Sequence, residues 1–285
     1  MVASRLGYAS KRYSSALTKV IATTKSYDEI VGVSPGRAWF RFYAELNDHL
    51  TPGRQYNSLE RSFFVPASVK DLIESFGVPH TEVELIVING ESADFSRLVR
   101  DGDRIAVYPV FESLDITREL RVRPHPLRSL KFVLDVHLGR LTAYLRMLGL
   151  DAEYHRQATD PELVRISSEQ GRILLTRDRG LLKHAAVTRG YWLRQTDSRR
   201  QAAEIVKRFD MAPCLDPFTR CMVCNGRLRT VEKAKVQDRL PARIAHQKNE
   251  FRECPLCFRL YWKGSHYERM ERWIDEMRQC GFSEQ

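Results

Sequence analysis

Residues 131–150 of the 285-residue chain read KFVLDVHLGRLTAYLRMLGL, and this stretch decides our interpretation of the fold. A short apolar run at 132–134 ends at the acidic residue Asp135. Leucines then recur at positions 138, 141, 145 and 148, a spacing that predicts an amphipathic helix. A strand followed by an acid and a helix is how α/β folds place a carboxylate at the carboxyl edge of a parallel sheet, where ligands bind. Asp135 is therefore either a metal ligand or only the boundary between strand and helix.

The pattern of strand followed by helix continues downstream. Residues 160–171, DPELVRISSEQG, predict a helix with Asp160 as its N-cap and Gly171 as its stop. Further strands are predicted at 172–176 and 190–196, and further helices at 179–187 and 198–209. Short β-α units in close succession indicate a small parallel sheet covered by helices.

Four acids follow strands or begin helices at intervals of about one β-α unit: Asp135, Asp160, Asp178 and Asp197. Because strand ends gather along one edge of a parallel sheet, acids with this spacing can converge. Converging carboxylates bind hard cations such as Mg²⁺. A cation held in this way polarises a phosphodiester and activates a bound water. The spacing therefore predicts metal-dependent hydrolysis of phosphodiester bonds.

Helix capping is the competing explanation for these acids. Asp160 precedes a proline, and capping alone would explain it, as it would explain Asp178 before the helix that starts at position 179. A capping box that begins at Ser198 would cap the last of these helices and leave Asp197 free. Asp135 has no evident capping role, because the residues after it already belong to the periodic helix face.

Four of the six cysteines form two CxxC pairs with 29 residues between them: Cys221, Cys224, Cys254 and Cys257. Two such pairs bring four thiolates around one Zn²⁺ and leave no open position, which predicts a structural zinc ribbon; a redox role is the alternative. The pattern indicates a reducing compartment rather than a disulfide framework. Cys214 and Cys280 fall outside it and are expected to be free thiols.

Residues 37–112 predict a separate N-terminal unit. A helix is expected at 69–77 with Ser68 as its cap, and strands are expected at 38–46, 62–66, 83–90 and 103–111. This order, together with NGESADFSRLVRDGDRIAVYPVF at 89–111, resembles the ubiquitin-like β-grasp fold of sulfur carriers. Those carriers end in a free Gly-Gly carboxylate, whereas this chain runs on. We therefore expect a binding or positioning role, not sulfur transfer.

The remaining segments are expected to connect or extend these units. Residues 1–36 are basic and contain no acid before Asp28, a composition that resembles a transit peptide. A disordered extension or an over-long start of the reading frame explains it equally well. Residues 113–129 contain two prolines and alternating charges, and predict a linker.

The charge distribution indicates a polyanionic partner. The net charge is +10; residues 1–36 carry +3, residues 37–125 carry −3, and residues 126–285 carry +10. Clustered Lys and Arg displace counterions from phosphates, so nucleic acid is one interpretation and a soluble basic surface is the other. The absence of a long apolar run argues against a membrane span.

Specific motifs in the second half of the chain resemble a known family. They are LGRL…LRMLG within 138–149, LLTRD at 174–178, CNG at 224–226 and YWKGSH at 261–266. With these motifs the chain resembles the Mut-seven C-terminal RNase domain, a PIN-like nuclease fold with an appended zinc ribbon. Some bacterial members carry an N-terminal ubiquitin-like domain. The resemblance implies a nuclease domain at 130–212, a ribbon with a C-terminal helix at 213–285, and an Mg²⁺ or Mn²⁺ site formed by Asp135, Asp160, Asp178 and Asp197.

Together these features predict a cytoplasmic, metal-dependent endoribonuclease that acts on tRNA or other structured or single-stranded RNA. Asp135 and Asp178 are expected to bind the principal cation. Residues expected to meet RNA phosphates are Arg140, Arg177, Lys263 and His266. The aromatic side chains at 261, 262 and 267 would either stack on bases or pack the ribbon against the core. The basic insert at 233–248 would lie along RNA or form a solvated loop. The rival function is a non-catalytic RNA-binding adaptor whose ubiquitin-like unit recruits a protein partner.

Overall fold

The chain is organised around two large sheets and one small one. The structure, a computed structural model, describes residues 35–64, 66–109, 122, 130–264 and 266–280. The basic extension up to residue 34 and the predicted linker, apart from position 122, lie outside the described residues. None of the helices in the described part of the chain is both long and apolar enough to cross a membrane.

The N-terminal sheet has five strands in the order β2-β1-β5-β3-β4, with β1 and β5 parallel and the other pairs antiparallel. Its core includes the fully buried Phe40, Ile73 and Ile86. This is the predicted β-grasp arrangement, with a short strand, β4, that the sequence did not predict. The elements are β1 (Gly36–Phe42), β2 (Leu59–Phe63), α1 (Val69–Ser75), β3 (Leu85–Ile88), β4 (Glu91–Ala93) and β5 (Arg104–Tyr108).

The strand predicted for 62–66 lies at Leu59–Phe63 instead. The other local signals in this unit act as the sequence predicts, with one exception. The hydroxyl of Ser68 caps α1 by accepting the backbone N–H of Asp71 at 3.1 Å, and Gly77 ends the helix region with φ +99°. The exception is the strand predicted for 38–46, which ends at residue 42. The side-chain amide of Asn47 donates to the carbonyls of residues 42 and 44, at 2.9 and 3.0 Å, and holds a 3₁₀ turn there instead.

The second sheet is entirely parallel, with strand order β7-β6-β8-β9. The chain passes from β7 on one side of β6 to β8 on its other side, so the strand order reverses between β6 and β8. Ligands of open α/β folds bind at such a switch point. The elements are β6 (Lys131–Leu134), α2 (Gly139–Met147), β7 (Asp151–Tyr154), α3 (Asp160–Gln170), β8 (Ile173–Thr176), α4 (Arg179–Leu182), β9 (Gly190–Trp192) and α5 (Ser198–Arg208).

The helical periodicity of the opening stretch is confirmed, because all four leucines at 138, 141, 145 and 148 are buried in the core of this sheet. Strand β7 was not predicted. The helix predicted for 179–187 is wrong beyond its first turn, since α4 ends at Leu182. The following residues form turns. The Nε2 atom of His80, in the N-terminal unit, lies 2.9 Å from the carbonyl oxygen of Val187.

The N-terminal unit docks on β9, the edge strand of the parallel sheet. Its 3₁₀ turn His80–Glu82 lies against this strand, and one carboxylate oxygen of Glu82 accepts the backbone N–H of Trp192 at 2.5 Å. An open sheet edge invites pairing with other chains. The docked turn covers the edge and joins the two units.

Glu82 is also the centre of a buried ionic cluster. Its second oxygen lies 2.9 Å from His49 Nε2 and 3.1 Å from the guanidinium of Arg194, which also contacts Asp48 at 2.9 Å. Burial raises the pKa of Glu82, but the hydrogen bond from His49 and the charge of Arg194 outweigh this and hold the pKa below its ordinary value. The carboxylate is therefore ionised at neutral pH.

The C-terminal part forms a three-stranded antiparallel ribbon, followed by a helix that packs on the parallel sheet through Trp273 and Ile274. The insert at 233–248 is folded, because Val236 and Leu240 pack on Phe251 in a small core of their own. The insert is therefore not an unstructured loop, but most of its residues are exposed, so the solvated alternative stays open. The elements are β10 (Arg229–Val231), α6 (Ala242–Gln247), β11 (Phe251–Glu253), β12 (Leu260–Tyr261) and α7 (Tyr267–Cys280).

Candidate active site and metal centre

The carboxyl ends of β6 and β8 place two acids at the switch point of the parallel sheet. Asp135 directly follows β6, and Asp178 lies two residues beyond the end of the neighbouring β8. The buried hydroxyl of Thr176 donates to Asp135 Oδ2 at 2.7 Å and accepts the backbone N–H of Asp178 at 2.9 Å. One side chain therefore orients the first acid and fixes the backbone of the second. Sequence reasoning missed Thr176.

Capping differs from the sequence expectation at Asp197 and Asp135. Asp197, not Ser198, caps α5, with Oδ1 accepting the N–H groups of Arg199 and Arg200 at 3.0 and 3.1 Å. Asp135 does cap a turn, the 3₁₀ segment that follows it, although the bond from the next-but-one N–H is long at 3.4 Å. An Asp before Ser offers two adjacent caps, and the sequence alone does not fix which one the helix uses.

Asp160 lacks the capping role that the sequence predicts for it. The N-cap of α3 is Thr159, whose backbone N–H and hydroxyl both donate to Glu162 Oε2, at 2.7 and 2.9 Å, in a capping box. Asp160 is the first residue of the helix and is exposed. The predicted capping role of Asp160 is therefore wrong, and capping no longer explains its presence.

The four acids lie at the same edge of the sheet but do not form a closed cluster. Within the described residues, the only group of three or more ligands whose donor atoms all lie within 4.8 Å of one another consists of cysteines. Asp178 and Asp197 each keep one carboxylate oxygen, and Asp160 both, without a hydrogen bond from any described residue. Such a donor set fits a cation such as Mg²⁺, which is commonly held by one or two carboxylates and retained waters.

A groove of about 700 Å³ runs from Asp197 to the start of α7. It brings together two of the predicted RNA contacts, Arg140 and His266, and adds Arg199, which the sequence analysis missed. Other side chains along it are Tyr144 and Arg269. Cations therefore outnumber acids along this groove. Arg177 and Lys263 do not line it: Arg177 is exposed beside Asp178, and Lys263 lies on the ribbon.

The four cysteines of the ribbon form the cluster that the spacing predicts: Cys221, Cys224, Cys254 and Cys257. The sulfur atoms of Cys221 and Cys257 are 3.5 Å apart, and those of Cys224 and Cys254 are 3.3 Å apart. Four thiolates around one Zn²⁺ at about 2.3 Å require separations of this order. The cluster could therefore bind zinc. Cys214 is exposed and outside it, and the side chain of the last cysteine is not described.

The electrostatics of the cluster also favour a bound cation. Burial raises the pKa of Cys224 to about 12. Burial acts in the same direction on Cys221, but the hydrogen bond with the Tyr261 hydroxyl and those from backbone N–H groups outweigh it and lower the pKa of Cys221 to about 6. Four neighbouring thiols cannot all ionise unless a cation neutralises them, and metal binding is the ordinary way to achieve this.

The first cysteine knuckle is fixed to the parallel sheet. Arg146 of α2 is buried and donates to the carbonyls of Met222 and Val223, at 3.2 and 2.7 Å. The side chain of Asn225 bonds Asp151 of β7 at 2.8 Å. The ribbon is therefore held against the same domain that carries the four acids.

Comparisons with known proteins identify the two units. Residues 36–115 match the Mut7-C ubiquitin family, and residues 130–274 match the Mut7-C RNAse domain family, in this order along the chain. Searches of curated proteins and of solved structures found no significant match. Because the second family match spans half of the chain, the protein belongs to the Mut7-C RNAse domain family.

Proposed function

We propose that the protein is a metal-dependent endoribonuclease with a PIN-like catalytic domain. The single observation that carries the proposal is the position of Asp135 and Asp178 after adjacent parallel strands at the switch point, joined through Thr176. Carboxylates at this place in an open α/β sheet are positioned for a ligand. The family membership is consistent with this function.

Asp135 and Asp178 would hold an Mg²⁺ or Mn²⁺ ion, and Asp160 and Asp197 would complete the acidic edge. When bound, such a cation supplies Lewis-acid activation of the phosphodiester and of an attacking water. Thr176 keeps the Asp135 carboxylate in a fixed orientation through its 2.7 Å hydrogen bond. The free oxygens of Asp160 and Asp197 are available to orient the water or to add a ligand.

RNA would approach along the groove that contains Arg140, Arg199 and His266. Arg140 and Arg199 line the groove without an ion pair to Asp197 among the described residues, so their charge remains available to phosphates. His266 contributes its ring, whose Nδ1 lies 2.6 Å from the guanidinium of Arg269. Arg177 would contact the chain on the other side of Asp178, and Lys263 would contact it at the ribbon.

We assign a structural role to the zinc ion, because four cysteines leave it no open position for substrate. Reduced thiolates of this kind suit a reducing compartment, and we propose a cytoplasmic location. The ubiquitin-like unit already docks on β9 through Glu82. Its remaining surface is proposed to bind a protein partner.

The test is cleavage of labelled RNA by the purified full chain with and without Mn²⁺. Wild-type protein should cleave only with the ion, and Asp135→Asn should cleave at least 100-fold more slowly with unchanged zinc content. Glu169→Gln, which alters an exposed acid near the far end of α3, is the matched control and should cleave normally. A circular RNA separates the two modes, since only an endonuclease opens it. Normal cleavage by Asp135→Asn contradicts the proposal.

A second candidate is a non-catalytic RNA-binding adaptor. It is favoured by the spread of the acids, which share no 4.8 Å cluster within the described residues. It is also favoured by capping: Asp178 caps α4, its Oδ1 accepting the N–H of Gly180 at 2.7 Å, and Asp197 caps α5. RNA binding by the groove, without cleavage in Mg²⁺ or Mn²⁺, would support this candidate and exclude the nuclease.

A further inference from the structure

A second cavity, of about 400 Å³, lies where the ribbon meets the parallel-sheet domain. Residues of the ribbon strands form one wall, and the start of α7 and the segment at 217–222 form the other. The side chains that matter for the argument are Phe218, Met222, Tyr261, Trp262, Tyr267 and Met270. Four of these six are aromatic and all six are half-buried, so flat apolar surfaces face an accessible space.

One residue of the aromatic wall, Phe218, has a strained backbone conformation that hydrogen bonds hold in place. Phe218 has φ +60°, which is uncommon for a residue with a bulky side chain. Its N–H donates to the carbonyl of Met147 at 2.9 Å, and its own carbonyl accepts the guanidinium of Arg252 at 2.7 Å. The strained backbone places the ring on Tyr267, with centroids 4.5 Å apart and planes 30° apart. Strain that the surroundings over-determine is commonly found at binding sites.

The rim of the cavity is cationic. Arg252 and Lys263 line it, against one acid, Glu250, whereas the Arg220 guanidinium in its wall is already paired with Asp151 at 3.2 Å. Lys263 is 62% exposed at its side chain, and its ammonium lies 5.6 Å from the centre of the Tyr267 ring. Its pairing with Glu250 at 3.5 Å is between exposed groups and contributes little free energy, so a phosphate can replace the acid.

The cavity adjoins the groove that reaches Asp197. The two spaces share three methionines in their walls, Met147, Met222 and Met270. Methionine side chains adapt to ligands of different shape. A strand that lies in the groove is therefore next to an aromatic cavity with a positive rim.

We propose that this cavity binds one unstacked base of single-stranded RNA, with the adjacent phosphate on Lys263. The aromatic walls suit the face of a base, since stacking on aromatic side chains is sequence-tolerant and strong. The volume falls within the range of small-ligand pockets. The ligand class rests on the proposed function, because the groove is proposed to carry RNA. Cleavage of duplex RNA would not need this cavity, whereas cleavage near an unpaired nucleotide would use it to hold the base.

The test measures binding without cleavage. Full chains that all carry Asp135→Asn are titrated, without divalent cations, with a fluorescent single-stranded RNA and with the same RNA containing abasic sites. Tyr267→Ala should weaken binding of the intact RNA by roughly 10- to 100-fold and bring it to the level of the abasic RNA. Tyr267→Phe keeps the ring and should bind as the parent does. Phe64→Ala, an exposed aromatic of the N-terminal unit, is the matched control.

A second readout protects the test against a folding defect in the alanine variant. Trp262 lines the cavity and should be quenched when the base enters, so Trp262→Phe should lose most of the RNA-dependent change in tryptophan fluorescence. Equal affinity of Tyr267→Ala and its parent, or an unchanged fluorescence response in Trp262→Phe, overturns the proposal. The nuclease assignment has its own failing result, which is normal cleavage by Asp135→Asn. Binding of a base in the cavity does not depend on that result.

Discussion

Thr176 Oγ1 lies 2.7 Å from Asp135 Oδ2, so a fully buried hydroxyl on β8 holds the carboxylate that follows β6. The two residues continue the parallel register in which Leu134 faces Leu175. The same hydroxyl accepts the N–H of Asp178. The two central acids of the proposed site are therefore coupled through one residue.

Replacing Thr176 by Val should weaken the site without removing an acid. Loss of a partner that orients a metal-binding carboxylate typically costs about 10–100-fold in metal affinity. The concentration of Mn²⁺ that gives half-maximal cleavage should rise by that factor, and the free energy of unfolding should fall by about 1–3 kcal/mol. Thr176→Ser keeps the hydroxyl and should retain wild-type Mn²⁺ dependence. An unchanged Mn²⁺ requirement in the valine variant would show that Thr176 does not act on the site.

Glu82→Gln should loosen the contact between the two units. It removes the charge of a buried carboxylate that pairs with the buried His49 and the half-buried Arg194. Among the described residues Asp48 would remain as the anionic partner of Arg194, and removal of one member of a buried pair costs about 3–5 kcal/mol at pH 7. Urea unfolding measures this loss. Glu60→Gln, in an exposed pair 3.9 Å from Arg37, should change stability by no more than about 0.5 kcal/mol.

The Glu82 carboxylate makes the contact between the N-terminal unit and the parallel sheet sensitive to low pH. The folded pKa of Glu82 lies below its ordinary value of 4.5, so its contribution is fully present above pH 4.5 and is lost as the pH falls through the lower folded pKa. The stability difference between wild type and Glu82→Gln should therefore shrink below about pH 4.5. A difference that stays constant from pH 7 to pH 3 would contradict this account of the cluster.

Cys254→Ala should remove zinc, whereas Cys214→Ala should not. Cys254 is buried within the four-cysteine cluster, and Cys214 is exposed outside it. Since ligand binding and folding are coupled in such sites, the first variant should also lose the cooperative unfolding of the ribbon. Elemental analysis of the purified chains measures the metal. Equal zinc content in both variants would refute the four-cysteine site.

Asp160→Asn and Thr159→Ala separate catalysis from capping at neighbouring positions. Thr159 is the cap of α3, so its replacement should cost about 1 kcal/mol of stability and leave cleavage intact. Asp160→Asn should cost only about 0.5 kcal/mol of helix-dipole stabilisation and reduce cleavage strongly. Thermal unfolding and the cleavage rate are measured on the same preparations. Normal cleavage by Asp160→Asn would remove that acid from the site.

The parts of this fold that sequence predicts are those with local causes. The leucines of α2, the cap at Ser68 and the CxxC pairs each carry their own signal, and all three are found in the structure. Strand β7 was missed because its residues, DAEY, have no apolar run, and the neighbouring β6 supplies the pairing instead. The cap of α3 was misplaced by one residue, because Thr and Asp are both good caps and only the reach of Glu162 decides between them.

The site was predicted in part for the same reason. Acids at strand ends follow from the β-α repeat, but the role of Thr176 depends on the register of two strands 41 residues apart in the chain. The groove and the aromatic cavity depend on how the ribbon docks through Arg146, which no local pattern reports. Long-range contacts of this kind cannot be derived from periodicity or spacing.

The most direct measurement is a crystal of the full chain soaked in Mn²⁺, with anomalous scattering recorded at the manganese edge. A peak between the carboxylates of Asp135 and Asp178, separate from zinc at the cysteine cluster and absent in Asp135→Asn, is the result we predict. Anomalous density confined to the four cysteines, at Mn²⁺ concentrations that support cleavage, would contradict the assignment of these acids as the metal-binding centre.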